Sequence, residues 1–251
     1  SGNLTIKGAT QIVFEQGVTV QGGGDIFLEG NEVDFKTGTE SMVGTGKLTI
    51  RPSTTNVNIE LASPPLEQSG YLNITLAEMQ AIADGFSEII IGRKDIVTGH
   101  AEAGTGAVRI GANTVEQQIT FRDKLSVYGG SIEVSDYTNP AITLVAADTV
   151  TLDAVGNISI NNQFTLKKEA TYYDLTLYSE NGKISQEDNS GDLITKEPIY
   201  AKNLIATAQT GIDMRWIDVD TITATNEGSG NIDFNVIAAG GDVSVLKIAQ
   251  T

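Results

Sequence analysis

The chain has 251 residues, 40% of them apolar and 6% aromatic, with 27 glycines, no cysteine and a net charge of −16. That balance suits a long narrow core of Ile, Val, Leu and Ala rather than a disordered chain, and it excludes disulfides and thiolate metal sites. With 32 acidic against 16 basic residues, the surface repels phosphate backbones and anionic bilayers, so no nucleic acid and no membrane insertion is expected.

Residues 3 to 38 read as short strands with period-two alternation: Leu4/Ile6, Ile12/Phe14, Val18/Val20, Ile26/Leu28 and Val33/Phe35. A further pair follows at Leu48/Ile50 and Val57/Ile59, and Pro64-Pro65 closes the run because proline cannot donate to a ladder. Thr75-Leu-Ala-Glu78 is a capping box. With Leu76, Met79, Ile82 and Ala83 on one face and Gly85 as a stop, it predicts a helix over 76–84, followed by an apolar strand from Phe86 to Ile91. This loop, helix and strand form an insert over 62–95. From Ile96 the strands resume, through Val108/Ile110, Val150/Leu152, Ile158/Ile160 and Ile222/Ala224 to Val243/Val245.

A glycine followed by an alternating strand recurs at Gly24, Gly46, Gly106, Gly130, Gly156, Gly182, Gly211, Gly230 and Gly241. Most steps are 19 to 29 residues, a loose repeat in which each unit buries its apolar face against the next. Units of strands and corners without a helix predict an all-β fold, a parallel β-helix occupying 1–251 as one domain. About nine rungs at ~4.8 Å each would make a rod about 40 to 45 Å long. Neither end carries an evident cap, so the end rungs are expected to meet further rungs or other copies of the chain.

The rungs Leu152-Asp-Ala-Val-Gly-Asn-Ile-Ser, Leu177-Tyr-Ser-Glu-Asn-Gly-Lys-Ile and Ala206-Thr-Ala-Gln-Thr-Gly-Ile-Asp resemble the recurring units of filamentous haemagglutinin-type exoproteins, the two-partner-secretion adhesins of bacteria. The stretch Leu76 to Arg93 is similar to an insert of very long repetitive exoproteins. The resemblance implies a right-handed helix, surface display or secretion, and a role in adhesion or in a biofilm matrix. It supplies no catalytic residues. The secretion domain of such proteins has no counterpart in these residues, so the resemblance also implies a piece of a longer exoprotein.

Four groups of residues bear on function. Asp218 and Asp220 flank Val219 on one strand face, ~6.7 Å apart along the strand, a spacing that suits inverting glycoside hydrolysis. Trp216, the single tryptophan, could stack on a sugar beside them. The plainer reading is a solvated acidic strand, so the chain is expected not to be an enzyme, with a polysaccharide hydrolase, lyase or glycan-binding module as the alternative. Glu187, Asp188 and Asp192, with Asn189, form an oxygen-rich turn that would suit calcium, although no cofactor is required. His100, the single histidine, reads as an ordinary exposed loop residue.

Overall fold

A computed structural model describes residues 2–63, 70–111, 118–134, 143–146, 148–161, 164–168, 170–186, 198–237 and 242–251. The alternating strands wind into three parallel ladders, A, B and C, which are the walls of a parallel β-helix. Ladder A runs through Leu4–Lys7, Ile26–Glu29, Lys47–Arg51, Glu88–Gly92, Leu125–Gly129, Val150–Ala154 and Leu175–Ser179. It continues through 204–208, 221–226 and Ser244–Gln250. These ten strands span about 43 Å at ~4.8 Å per step. Their registers stack like on like: Ile6, Leu28, Ile50, Ile91, Val127, Leu152 and Leu177 make one inward column, all but the first buried.

Ladder B begins as the pair Gln11–Phe14 and Glu32–Phe35, in which Phe14 and Phe35 stack with ring centroids 5.2 Å apart. A second stretch of B runs through Tyr71–Thr75, Asn58–Ser63, Val108–Ile110, Ile132–Val134, Ile158–Ile160, Ile184–Gln186, 212–214 and Ile232–Val236. Ladder C also starts as an isolated pair, Val20–Gly22 with Met42–Gly44. It resumes at Gln118–Phe121 and continues through Thr143–Ala146, Phe164–Lys168, 199–200 and 217–218. Above the second rung, therefore, among the described residues B and C are interrupted and only A is continuous.

The interruption is the work of the capping box. The Thr75 hydroxyl accepts from the Glu78 amide while the Glu78 carboxylate accepts from the Thr75 amide at 2.8 Å. The helix runs over Leu76–Ala81, shorter than the 76–84 expected. Ile82 turns extended and makes a parallel bridge to Met42, so ladder C, not Gly85, ends the helix. Glu88–Gly92 then takes an ordinary place in ladder A, between Lys47–Arg51 and Leu125–Gly129. Two other readings fail. Val18 is exposed and the strand starts at Val20, and the strands resume at Val108 rather than at Ile96, which is solvent-exposed in a loop.

The recurring glycines mark two corners, not one. Gly24 and Gly46 precede ladder A strands, whereas Gly106, Gly130, Gly156, Gly182, Gly211 and Gly230 precede ladder B strands, and Gly241 lies outside the described residues. Only Gly211 and Gly230 of this set have positive φ. At Gly130 a Cβ would overlap the Thr105 carbonyl, and the Gly130 amide donates to Gly106 O at 2.7 Å. Close stacking of backbone on backbone, rather than an unusual dihedral, requires glycine there.

Candidate functional site

Two features stand out from the regular rungs, and both lie around the strand Glu88–Gly92. The first is a cavity of about 300 Å³ where ladder C has no strand among the described residues. Leu61, Ile74, Ile89 and Ile91 of the core, Leu76 and Met79 of the helix, and Phe121 above form its apolar lining. Gln80, Thr120 and Arg122 at its edge are exposed, so the cavity opens to the surface on the ladder C side. Arg122 pairs with Glu40 at 2.6 Å, joining the rungs on either side of the gap. Asp123 accepts from the Gly85 and Phe86 amides at 3.0 and 3.2 Å. Burial pushes its carboxyl up, and neighbouring Asp84 adds to the rise while the two amides oppose it.

Below the cavity Glu78 is buried and acts as a splice. Besides capping its own helix, it accepts from the Phe35 amide at 2.9 Å, a donor that no strand of ladder B meets. Burial raises the Glu78 carboxyl, opposed by the hydrogen bonds from Thr75 and Phe35.

The second feature is a loop at the corner between ladders A and B, where 93–107 replaces the tight turn of other rungs. Its Lys94–Ala101 bridge forms the base of a small hairpin. Asp95 Oδ1 accepts from the Val97 and Thr98 amides at 2.6 and 3.0 Å, and these bonds hold its carboxyl below the usual range. Arg93 pairs with Glu102 at 2.9 Å and donates to the Pro52 carbonyl. At the tip Ile96 and Val97 are 97% and 88% exposed.

His100 folds back over the outside of ladder A. Its Nδ1 lies 2.7 Å from Asp153 Oδ2, and its ring stacks on Tyr178 at 3.8 Å. Asp153 also accepts from the Ala101 amide at 2.9 Å. Burial raises the Asp153 carboxyl, while His100 and that amide pull the other way. His100 is thus a half-buried clasp and not a free loop side chain; sequence reasoning missed its partner because Asp153 lies 53 residues away. The one available signal is an acid at Asp153, in an outward position that tyrosines, Tyr128 and Tyr178, fill on the neighbouring rungs.

No family model, curated protein or solved structure matches this chain. The likeness to haemagglutinin-type rungs therefore stands on the residues quoted above.

Asp218 and Asp220 do face outward from one strand around buried Val219, with Asp220 exposed and Asp218 half-buried. Tyr200 is the register partner of Asp218. Burial raises the Tyr200 hydroxyl, and Asp218 and Tyr172 add to the rise. Trp216 sits at the adjoining bulge, its amide donating to Gln186 Oε1 at 3.4 Å, half-buried on the same segment. Glu187, Asp188 and Asp192 lie outside the described residues, and among the described residues no three acidic or histidine side chains are grouped to hold a metal.

Proposed function

We propose that the chain is a non-catalytic structural and adhesive β-solenoid module of a bacterial surface or matrix protein, extended at its ends by further rungs. The observation that carries this reading is the match between its two edges. The last rung displays Ile232, Phe234 and Val236, continuing to the partly or largely exposed Val245 and Ile248. The first rung has the half-buried Leu4 and Ile6 at the equivalent positions of ladder A, with Ile12, Phe14 and Val20, already largely covered, at those of ladders B and C. Phe234 of one copy would extend the Phe14–Phe35 column of the next. A repeated contact of this kind does not close and builds a filament.

Charge opposes it. A molecule carrying −16 repels its copies until salt shortens the Debye length from ~30 Å at 0.01 M to ~8 Å at 0.15 M. Electron microscopy of the purified chain across salt, with calcium and with chelator, tests the reading. Filaments that lengthen with salt and vanish in Phe234→Asp support it. Discrete short rods under every condition refute end stacking, and a chelator effect would assign calcium a bridging role.

A second reading, a glycan-binding or carbohydrate-active surface, draws on the outward group of Tyr200, Asp218 and Trp216. Polysaccharide binding or cleavage that Asp218→Asn abolishes would favour it over the first.

A further inference from the structure

We infer that the loop tip Ile96-Val97 of one molecule seats in the apolar cavity of a neighbouring molecule, joining the rods side by side. The tip is a built knob. Two β-branched side chains stand almost wholly in water on a hairpin held by the Asp95 carboxylate, the Lys94–Ala101 bridge, the Arg93–Glu102 pair and the His100–Asp153 clasp. Holding apolar groups rigidly in water is costly, and the cost is recovered when they enter an apolar site already shaped for them.

The cavity answers in chemistry and in place. Its floor is aliphatic, Leu61, Ile74, Met79 and Ile91 among others, and its volume of about 300 Å³ is at the small end of the range for pockets. Asp84 is an exposed acid beside its opening, where Glu40 is already paired with Arg122, and exposed Lys94 flanks the knob. One molecule cannot fill its own cavity. The knob is fastened over the outside of ladder A at its corner with B, and the cavity opens through ladder C. Knob and cavity lie within about a rung of each other along the axis, since both adjoin Glu88–Gly92. The contact would run across the rod and repeat without closing, widening a filament into a sheet.

This contact uses none of the end-rung residues, so it stands or falls apart from end stacking. The native chain has no cysteine, which allows a clean cross-linking test. Val97→Cys protein is mixed with Gln80→Cys protein under mild oxidation, both carrying Phe234→Asp to block end stacking. Val97→Cys mixed with Lys202→Cys, an exposed position on another segment, is the control. The mixed disulfide should form at least about tenfold faster with Gln80→Cys than with the control. Adding Ile96→Ser should remove on the order of tenfold of that rate, because one buried aliphatic side chain is lost from the contact. Equal rates for the two pairs, or a rate indifferent to Ile96→Ser, would overturn the proposal and leave the cavity to some other occupant.

Discussion

Replacing Glu78 by alanine should detach the first two rungs from the rest of the rod. The carboxylate accepts from the amides of Phe35 and Thr75 at 2.9 and 2.8 Å. Hydrogen bonds to a charged group are worth about 1.5–3 kcal/mol each, so two give roughly 3–6. Burial already disfavours the ionised carboxylate, as the raised Glu78 carboxyl records, and the net loss falls near the lower bound, about 3 kcal/mol. For a chain of this size that is about 6–12 °C in Tm. The loss should be local, because among the described residues ladder A alone carries a full ladder across this level, beside the single Ile82–Met42 bridge. Native-state hydrogen exchange should show the amides of ladder B in Gln11–Phe14 and Glu32–Phe35 opening on the order of a hundredfold faster, with those of Ile158–Ile160 unchanged. Glu78→Gln, which keeps an acceptor for Phe35, should lose about half as much. A Glu78→Ala protein within about 0.5 kcal/mol of the parent, or one whose exchange accelerates uniformly, would refute the splice.

Gly130→Ala should destabilise the chain by more than about 2 kcal/mol in urea titration, since its Cβ would overlap Thr105 O, whereas Gly38→Ala, with open space around it, should be near neutral. Burial pushes the Glu88 carboxyl up, but Ser126, Lys47 and Lys124 more than offset this and hold it below the ordinary value. Its contribution is therefore present above the unfolded value of about 4.3 and lost as pH falls through the folded one. Glu88→Gln should flatten that acid limb in pH-dependent unfolding. His100→Ala should cost about 1–2 kcal/mol, seen as faster exchange of the 94–102 amides with global unfolding little changed, and unaltered exchange would show that the clasp holds nothing.

Much of the architecture was legible because a strand with one buried face writes its period into the sequence. Ile158/Ile160 and Val150/Leu152 announce their inward columns, and Thr75 and Glu78 announce a cap that the folded chain forms bond for bond. The errors arose where a distant partner decides. Ile82 looks helical until Met42 offers a ladder position. Ile96 looks like the start of a strand, because an apolar residue held out into water has no local signature. The glycines seemed one repeat because both kinds of corner demand a missing side chain, and sequence cannot say which wall follows. The cavity was invisible for a related reason: it is the absence of a strand, bounded by residues that each look like ordinary core.

The gap in ladders B and C also bears on how such a rod would carry load. Tension along the axis is borne by backbone hydrogen bonds between successive rungs, and above the helix every described rung boundary has ladder pairing on more than one wall, save that of the terminal strand Ser244–Gln250, which pairs on ladder A alone. Between the second and third rungs the pairing of Ile26–Glu29 with Lys47–Arg51 is the only full ladder, helped by the Ile82–Met42 bridge, the Arg51–Glu29 ion pair and the Glu78 carboxylate. Pulled from its ends, the molecule should part there before any other internal rung boundary among the described residues, giving up two rungs while the rungs above the helix stay wound. In a fibre under shear, that joint would act as a mechanical fuse set by the insert.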